Sequence, residues 1–159
     1  MKKQVKNRPA FPNEFDALKL EYQLCFPLYA VSRMVTKLYQ PLLKELDLTY
    51  PQYLVMLVLW EKDKLAVTEI GGKLLLSTNT LTPLLQRMEE MKLLKRSRAK
   101  EDERTVLVQL TEKGTALKNK AVAIPAKLAE STDYPLEKIG ELKILLDDLM
   151  EKLSGKIEL

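Results

Sequence analysis

Histidine is absent from the 159 residues, and cysteine occurs once. Without histidine there is no Ser–His–Asp triad, no imidazole general base and no histidine-bearing zinc site. A lone cysteine excludes an intrachain disulfide. Such a thiol is either a small buried hydrophobe or a reactive group, and its isolation fits a cytoplasmic chain. Glycine is scarce, at five residues. Together with long apolar-periodic stretches, that scarcity favours helices over many short strands. No run approaches 18 uncharged apolar residues, so no membrane-spanning segment is expected. Residues 1–13 are basic, carry Pro9 and Pro12, and lead into no apolar core of a secretory signal; they are expected to form a flexible tail.

What remains is ordinary globular material. Apolar residues make up 46% and charged residues 30%, enough for one domain with its own core. The net charge of +4 permits a nucleic-acid partner without requiring one, so the placement of the cations carries more information than their sum.

Residues 15–38 have helical spacing, with Leu18, Tyr22, Cys25, Leu28 and Tyr29 on one broad face. Pro27 interrupts that pattern, so a helix either starts near Leu24 or kinks there, and Pro41 predicts a second interruption. Thr49 is an expected N-cap, with Pro51 in the first turn of an almost wholly apolar helix over 51–61. Thr68 is expected to open a short helix from Glu69 to Leu75, and Ser77 or Thr78 to cap another over 79–91. In the latter, Leu81, Leu84, Leu85 and Met88 form an inward stripe. The period then changes to two: Leu94, Arg96 and Arg98 predict one strand, and Val106, Val108 and Leu110 a second. Thr111 predicts a cap for a helix over 112–130, bent late by Pro125. A last helix spans about 136–153. Its seam of Ile139, Leu142, Leu145, Leu146, Leu149, Met150 and Leu153 either packs on its own domain or pairs with a second copy.

Two successive short helices followed by a hairpin make a winged helix-turn-helix. The expected class is mainly α, with a small β-hairpin wing and N- and C-terminal dimerisation helices. Residues 49–111 would form the DNA-binding domain, and 14–48 with 112–159 the helical dimerisation region.

The outward side of the 79–91 helix offers Asn79, Thr80, Thr82, Gln86 and Arg87, groups suited to phosphates and base edges. The backbone amides at Ser77 to Thr80 suit a phosphate. Lys95, Arg96, Arg98, Lys100 and Arg104 place five cations within ten residues of the hairpin. A wing tip of that charge fits a narrow minor groove. Asp102 is not a phosphate ligand; it is expected to fix the tip or an arginine by a charge-assisted hydrogen bond. The plain alternative is a solvated helix face beside a charged turn.

Cys25 stands near the expected helix start, among Tyr22, Phe26 and Tyr29. A helix N-terminus favours the thiolate, which peroxide converts to a sulfenic acid. On pattern alone, inert packing of a lone cysteine on an apolar helix is the commoner outcome. Tyr39 and Tyr50 are candidate hydroxyl partners from elsewhere in the chain.

Several segments together resemble the MarR family, and within it the organic-hydroperoxide regulator branch. They are Gln23-Leu24-Cys25-Phe26, Leu28-Tyr29-Ala30, Leu48-Thr49-Tyr50-Pro51-Gln52-Tyr53, Thr80-Leu81-Thr82-Pro83-Leu84-Leu85 with Arg87-Met88-Glu89, and Asp102-Glu103-Arg104 with Leu110-Thr111. The resemblance runs from about residue 16 to about residue 150. It implies a homodimeric repressor of a hydroperoxide-resistance gene, bound to double-stranded operator DNA. Cys25 matches the sensing cysteine, Tyr29, Tyr39 and Tyr50 the tyrosines near it, and Tyr39 and Tyr50 the phenols that hydrogen-bond it. Residues 78–91, including Pro83, match the recognition helix, and Arg104 the minor-groove arginine. Leu76-Ser77-Thr78-Asn79 departs from the usual Leu-Asp-Ser-Gly, a change that keeps a capping residue and shifts operator preference. With no second cysteine, the chain resembles the one-cysteine type, whose oxidised thiol pairs with a small cellular thiol. No cofactor or metal is expected. Rival readings are a repressor answering a small aromatic anion, a global virulence or stress regulator with the same thiol switch, and a thiol peroxidase. The last lacks both a resolving cysteine and a catalytic arginine partner.

Overall fold

A computed structural model supplies the fold; the structure describes residues 14–99, 101–102 and 104–156. The expected tail 1–13 and Lys100 lie outside the described residues. The chain divides after Lys37 into two compact units.

The first unit holds the 3-10 turns Glu14–Leu18 and Leu20–Tyr22 and the start of helix α1 (Cys25–Lys44), which begins only at the cysteine and whose residues from Leu38 on belong to the second unit. One helix from residue 15 is therefore not formed. Lys19 and Gln23 are extended, and the Gln23 side-chain amide donates to the Ala17 carbonyl at 2.5 Å. This placement resolves Pro27. As the third residue of α1 it falls in the first turn, where a missing N–H breaks no intrahelical bond. Pro41, expected to interrupt the chain, instead lies inside α1, whose helix continues to Lys44. So close to the helix end it removes a single hydrogen bond.

The second unit holds α2 (Tyr50–Glu61), β1 (Leu65–Ala66), α3 (Val67–Leu74), α4 (Thr78–Glu90), β2 (Leu94–Arg98), β3 (Val106–Leu110), α5 (Glu112–Ala121), α6 (Ile124–Thr132) and α7 (Leu136–Ser154). Thr49 stands at the N-cap of α2 as expected, but its hydroxyl makes no cap hydrogen bond; the Gln52 side-chain oxygen accepts from the Thr49 N–H at 2.8 Å and from the Thr49 hydroxyl at 3.0 Å. Helix α2 is apolar on most sides because most of it is enclosed: Tyr53, Val55, Met56, Val58 and Leu59 are buried, while Leu57 is exposed. Helix α3 starts two residues before the expected Glu69. Ala66 is its N-cap, and Glu69 accepts from the Ala66 N–H at 2.8 Å, so Thr68 is a first-turn residue rather than the cap.

The turn from α3 to α4 is close-packed. Leu76 N–H bonds the Gly71 carbonyl at 3.0 Å, and a Cβ on Gly71 would stand 2.9 Å from the Leu76 carbonyl oxygen. Only glycine fits there without displacement. Strands β2 and β3 pair antiparallel with Leu94 opposite Leu110, Arg96 opposite Val108 and Arg98 opposite Val106. The wing is larger than a hairpin, because β1 pairs with the other edge of β3 to give the order β1-β3-β2.

Leu81, Leu85 and Met88 of α4 are fully buried with Ile70, Leu93, Leu94 and Val108, so helix-turn-helix and wing share one core. Helix α5 is tied to both. Thr111 Oγ1 accepts from the Gly114 N–H at 3.1 Å, Lys113 Nζ donates to the Met91 carbonyl, Lys118 Nζ to the Trp60 carbonyl, and Trp60 Nε1 to the Gly114 carbonyl. The expected 112–130 helix breaks at Val122–Ala123. Pro125 cannot donate to Ala121 and takes the second position of a new helix instead. Helix α7 carries no buried residue; Leu142, Leu145, Met150 and Leu153 are exposed.

Candidate nucleic-acid interface and thiol site

Burial of Leu81, Leu85 and Met88 fixes the rotation of α4. Ser77, Thr78, Asn79, Thr80, Thr82, Pro83, Gln86 and Arg87 consequently all face solvent. Ser77 occupies the N-cap position, but its hydroxyl makes no cap hydrogen bond and lies 3.2 Å from the Thr80 hydroxyl. The departure at 76–79 therefore keeps a capping residue type without its cap bond. Pro83, inside α4, has no N–H to offer the Asn79 carbonyl one turn back, on the exposed side.

The wing tip is organised by Asp102. One carboxylate oxygen accepts from the Arg104 N–H at 3.0 Å and the other from the Thr105 hydroxyl at 2.8 Å; Thr105 N–H closes the turn on the Asp102 carbonyl. These donors hold the Asp102 carboxyl below its ordinary range, the Thr105 hydroxyl first and the Arg104 amide second. Asp102 thus fixes the tip backbone, and the Arg104 side chain is left exposed. Lys95 and Arg98 are also exposed.

Arg96 differs. Its guanidinium is half-buried and paired with Glu89 of α4, through Nε at 2.9 Å and a terminal nitrogen at 2.8 Å; its backbone N–H donates to the other Glu89 oxygen at 2.8 Å. Thr78 and Thr82 from α4, Thr68 from α3, and Arg96, Arg104 and Thr105 from the wing border one cleft of about 210 Å³. The exposed α4 face and the wing tip are therefore contiguous.

Cys25 is the first residue of α1, exposed and not in a disulfide. One turn on, the Tyr29 hydroxyl accepts from Arg33 Nη1 at 2.9 Å, and the Arg33 guanidinium lies 5.4 Å from the Tyr29 ring centre. Tyr39 and Tyr50 belong to the other unit. Their rings are 4.9 Å apart, and Tyr53 lies 5.8 Å from Tyr39 and 6.3 Å from Trp60. Burial raises all three phenols above their ordinary value, with Tyr50 and Tyr53 adding to the rise at Tyr39. The structure thus brings together the α4 face and the wing within one unit, and Cys25 with Tyr29 within the other. Among the described residues no cluster of acidic or thiol side chains forms a metal site, and no helix is long and apolar enough to cross a membrane.

The family model for the transcriptional regulators SarA/Rot matches residues 37–121. The organic hydroperoxide resistance transcriptional regulator of Bacillus subtilis is 51% identical over 144 residues, 91% of this chain and 98% of that relative. The chain belongs to the MarR/SarA family of transcriptional regulators. Within it, the chain is of the organic hydroperoxide resistance type, a regulator and not an enzyme. Reduced AbfR of Staphylococcus epidermidis, solved bound to DNA, superposes with a TM-score of 0.74 at 36% identity, covering 90% of this chain and 98% of that one. MarR of E. coli, at 22% identity and a TM-score of 0.67 over 80% of this chain and 97% of that one, shares the winged fold.

The sequence pattern missed Glu89 as a partner of the wing. The signal was present: Arg96 is two residues from Leu94, and alternation puts both on the same, inward face of β2. It also missed Lys113 and Lys118, whose roles depend on where α5 packs and leave no periodic trace.

Proposed function

We propose that the chain is a cytoplasmic homodimeric repressor that binds double-stranded operator DNA and leaves it when organic hydroperoxide oxidises Cys25. The observation that carries the DNA reading is the shared border of α4 and wing tip, with Thr78, Thr82 and Arg104 around one cleft. Ser77, Thr78, Asn79, Thr80, Thr82, Pro83, Gln86 and Arg87 would enter the major groove, while Arg98, Lys100 and Arg104 follow the backbone and minor groove. Two copies would join through 14–48 and 112–159, covering the apolar side chains exposed on α7.

In the switch, the Cys25 thiolate attacks a peroxide oxygen. The O–O bond breaks, the departing alkoxide takes a proton to become an alcohol, and Cys25 becomes a sulfenic acid. A small thiol then condenses with it, releasing water and leaving a mixed disulfide. By the family resemblance, Tyr29, Tyr39 and Tyr50 would be the phenols that answer the change at Cys25. Bulk added there shifts the dimer helices and spoils half-site spacing. Exposure of Cys25 at the start of α1 supports its access to peroxide. The test is a mobility shift on DNA upstream of the protein's own gene. Wild-type protein should release it on addition of cumene hydroperoxide, and Cys25→Ser should hold it. Release of the serine variant would remove the thiol from the mechanism.

A second reading has one specific support. The cleft's exposed Arg104 guanidinium and its threonine hydroxyls suit a small aromatic carboxylate. DNA binding that ignores hydroperoxide and yields to salicylate would select it.

A further inference from the structure

We infer that Glu89 and Arg96 form a positioning clamp for the wing, and that Arg96 serves DNA binding through this clamp and not as a phosphate ligand. The inference rests on the DNA-binding reading above. Glu89 lies in the last turn of α4 and uses both carboxylate oxygens on one residue of β2. One oxygen holds the Arg96 N–H at 2.8 Å; the other takes the guanidinium through two nitrogens at 2.9 and 2.8 Å. Three charge-assisted bonds between one helix and one strand fix distance and twist together, as a single contact does not.

The surroundings make the clamp consequential. Arg96 pairs across the sheet with Val108, which is fully buried, and β3 leads directly from the wing turn that carries Arg104. Arg96 and Arg104 also line the same cleft. Setting the angle of β2 on α4 therefore sets where Arg104 stands relative to the recognition face. A carboxylate without such a role would be a liability here, because negative charge close to duplex phosphates weakens binding within a Debye length.

That liability gives a test by sign. Duplex DNA from upstream of the protein's own gene is titrated by fluorescence anisotropy with wild-type dimer, Glu89→Gln, Arg96→Gln, Arg104→Ala and the Arg96→Gln/Arg104→Ala double variant, with thermal unfolding recorded for each. The clamp predicts that Glu89→Gln weakens binding, on the order of tenfold. It also predicts that Arg96→Gln costs clearly less in the Arg104→Ala background than alone, since both act through the same tip. Tighter binding by Glu89→Gln overturns the inference. So do additive losses at positions 96 and 104, which mark Arg96 as an independent DNA ligand. If Glu89→Gln unfolds early, Arg96→Lys decides. Lysine keeps the charge but not the fork, so wild-type affinity and salt dependence in that variant overturn the clamp, and weakened binding supports it. Failure of the wild-type dimer to bind any duplex would overturn the DNA-binding reading itself, and the clamp with it.

Discussion

Asp102 accepts from the Thr105 hydroxyl and the Arg104 amide, and both donors favour its charged form. Its folded value is lowered, so its contribution is complete above the ordinary carboxyl range and lost as pH falls through the folded value. The tip is therefore insensitive to this group between pH 5 and 8. Asp102→Ala should weaken DNA binding several-fold by freeing the Arg104 backbone while leaving the unfolding midpoint almost unmoved; anisotropy beside calorimetry checks both. The three raised phenols act at the other end of the scale. Tyr39, Tyr50 and Tyr53 keep their protons longer when folded, so their contribution is intact below pH 10 and lost as pH rises through the folded values. Urea midpoints should drop above pH 10, with phenolate absorbance appearing as the chain unfolds. Two glycines separate space from propensity. A Cβ on Gly114 would meet the Leu93 carbonyl oxygen at 2.0 Å, whereas Gly72, inside α3, has open space around it. Gly114→Ala should destabilise by about 2–3 kcal/mol, and Gly72→Ala should stabilise by roughly 0.5–1 kcal/mol. Thermal melts of the two variants should move in opposite directions.

Elements differ in how plainly the chain announces them. Helix α4 was legible because Leu81, Leu85 and Met88 keep a strict stripe, and that same stripe exposes the polar face. The Thr49–Gln52 box at α2 and the alternation in β2 and β3 were equally direct. Strand β1 was not, since Leu65–Ala66 is too short to have a period. The three prolines expected to break or bend a helix behave differently for reasons of position. Pro27 falls in a first turn, Pro41 near a last one, and Pro125 at the second residue of a helix that starts because of it. Arg96 was read as a DNA contact because its charge was visible, while its partner lies across a turn that composition does not reveal. Helix α7 has no buried residue, and in the proposed dimer a second copy would cover its apolar side chains. Leu145→Glu should shift the sedimentation coefficient toward monomer at micromolar concentration and weaken DNA binding with it. A monomeric wild type would contradict the dimer.

At the scale of the whole molecule, the proposed switch requires that modification of the exposed Cys25 thiol reach α4 and the wing, the proposed DNA surface. The links from α5 suggest where that surface is held: Lys113 and Lys118 cap the C-terminal ends of α4 and α2, and Trp60 bonds the Gly114 carbonyl. A shift of α5 would therefore pull on α4, the proposed recognition helix, and on α2. The central claim is that modification of one sulfur and loss of DNA are the same event. Its most direct test titrates the DNA-bound dimer with substoichiometric cumene hydroperoxide in the presence of a small thiol. At each point, intact mass gives the fraction of Cys25 modified and anisotropy the fraction of DNA released. The two should rise together from zero. Complete modification with DNA still bound, or release from an unmodified protein, would contradict the account.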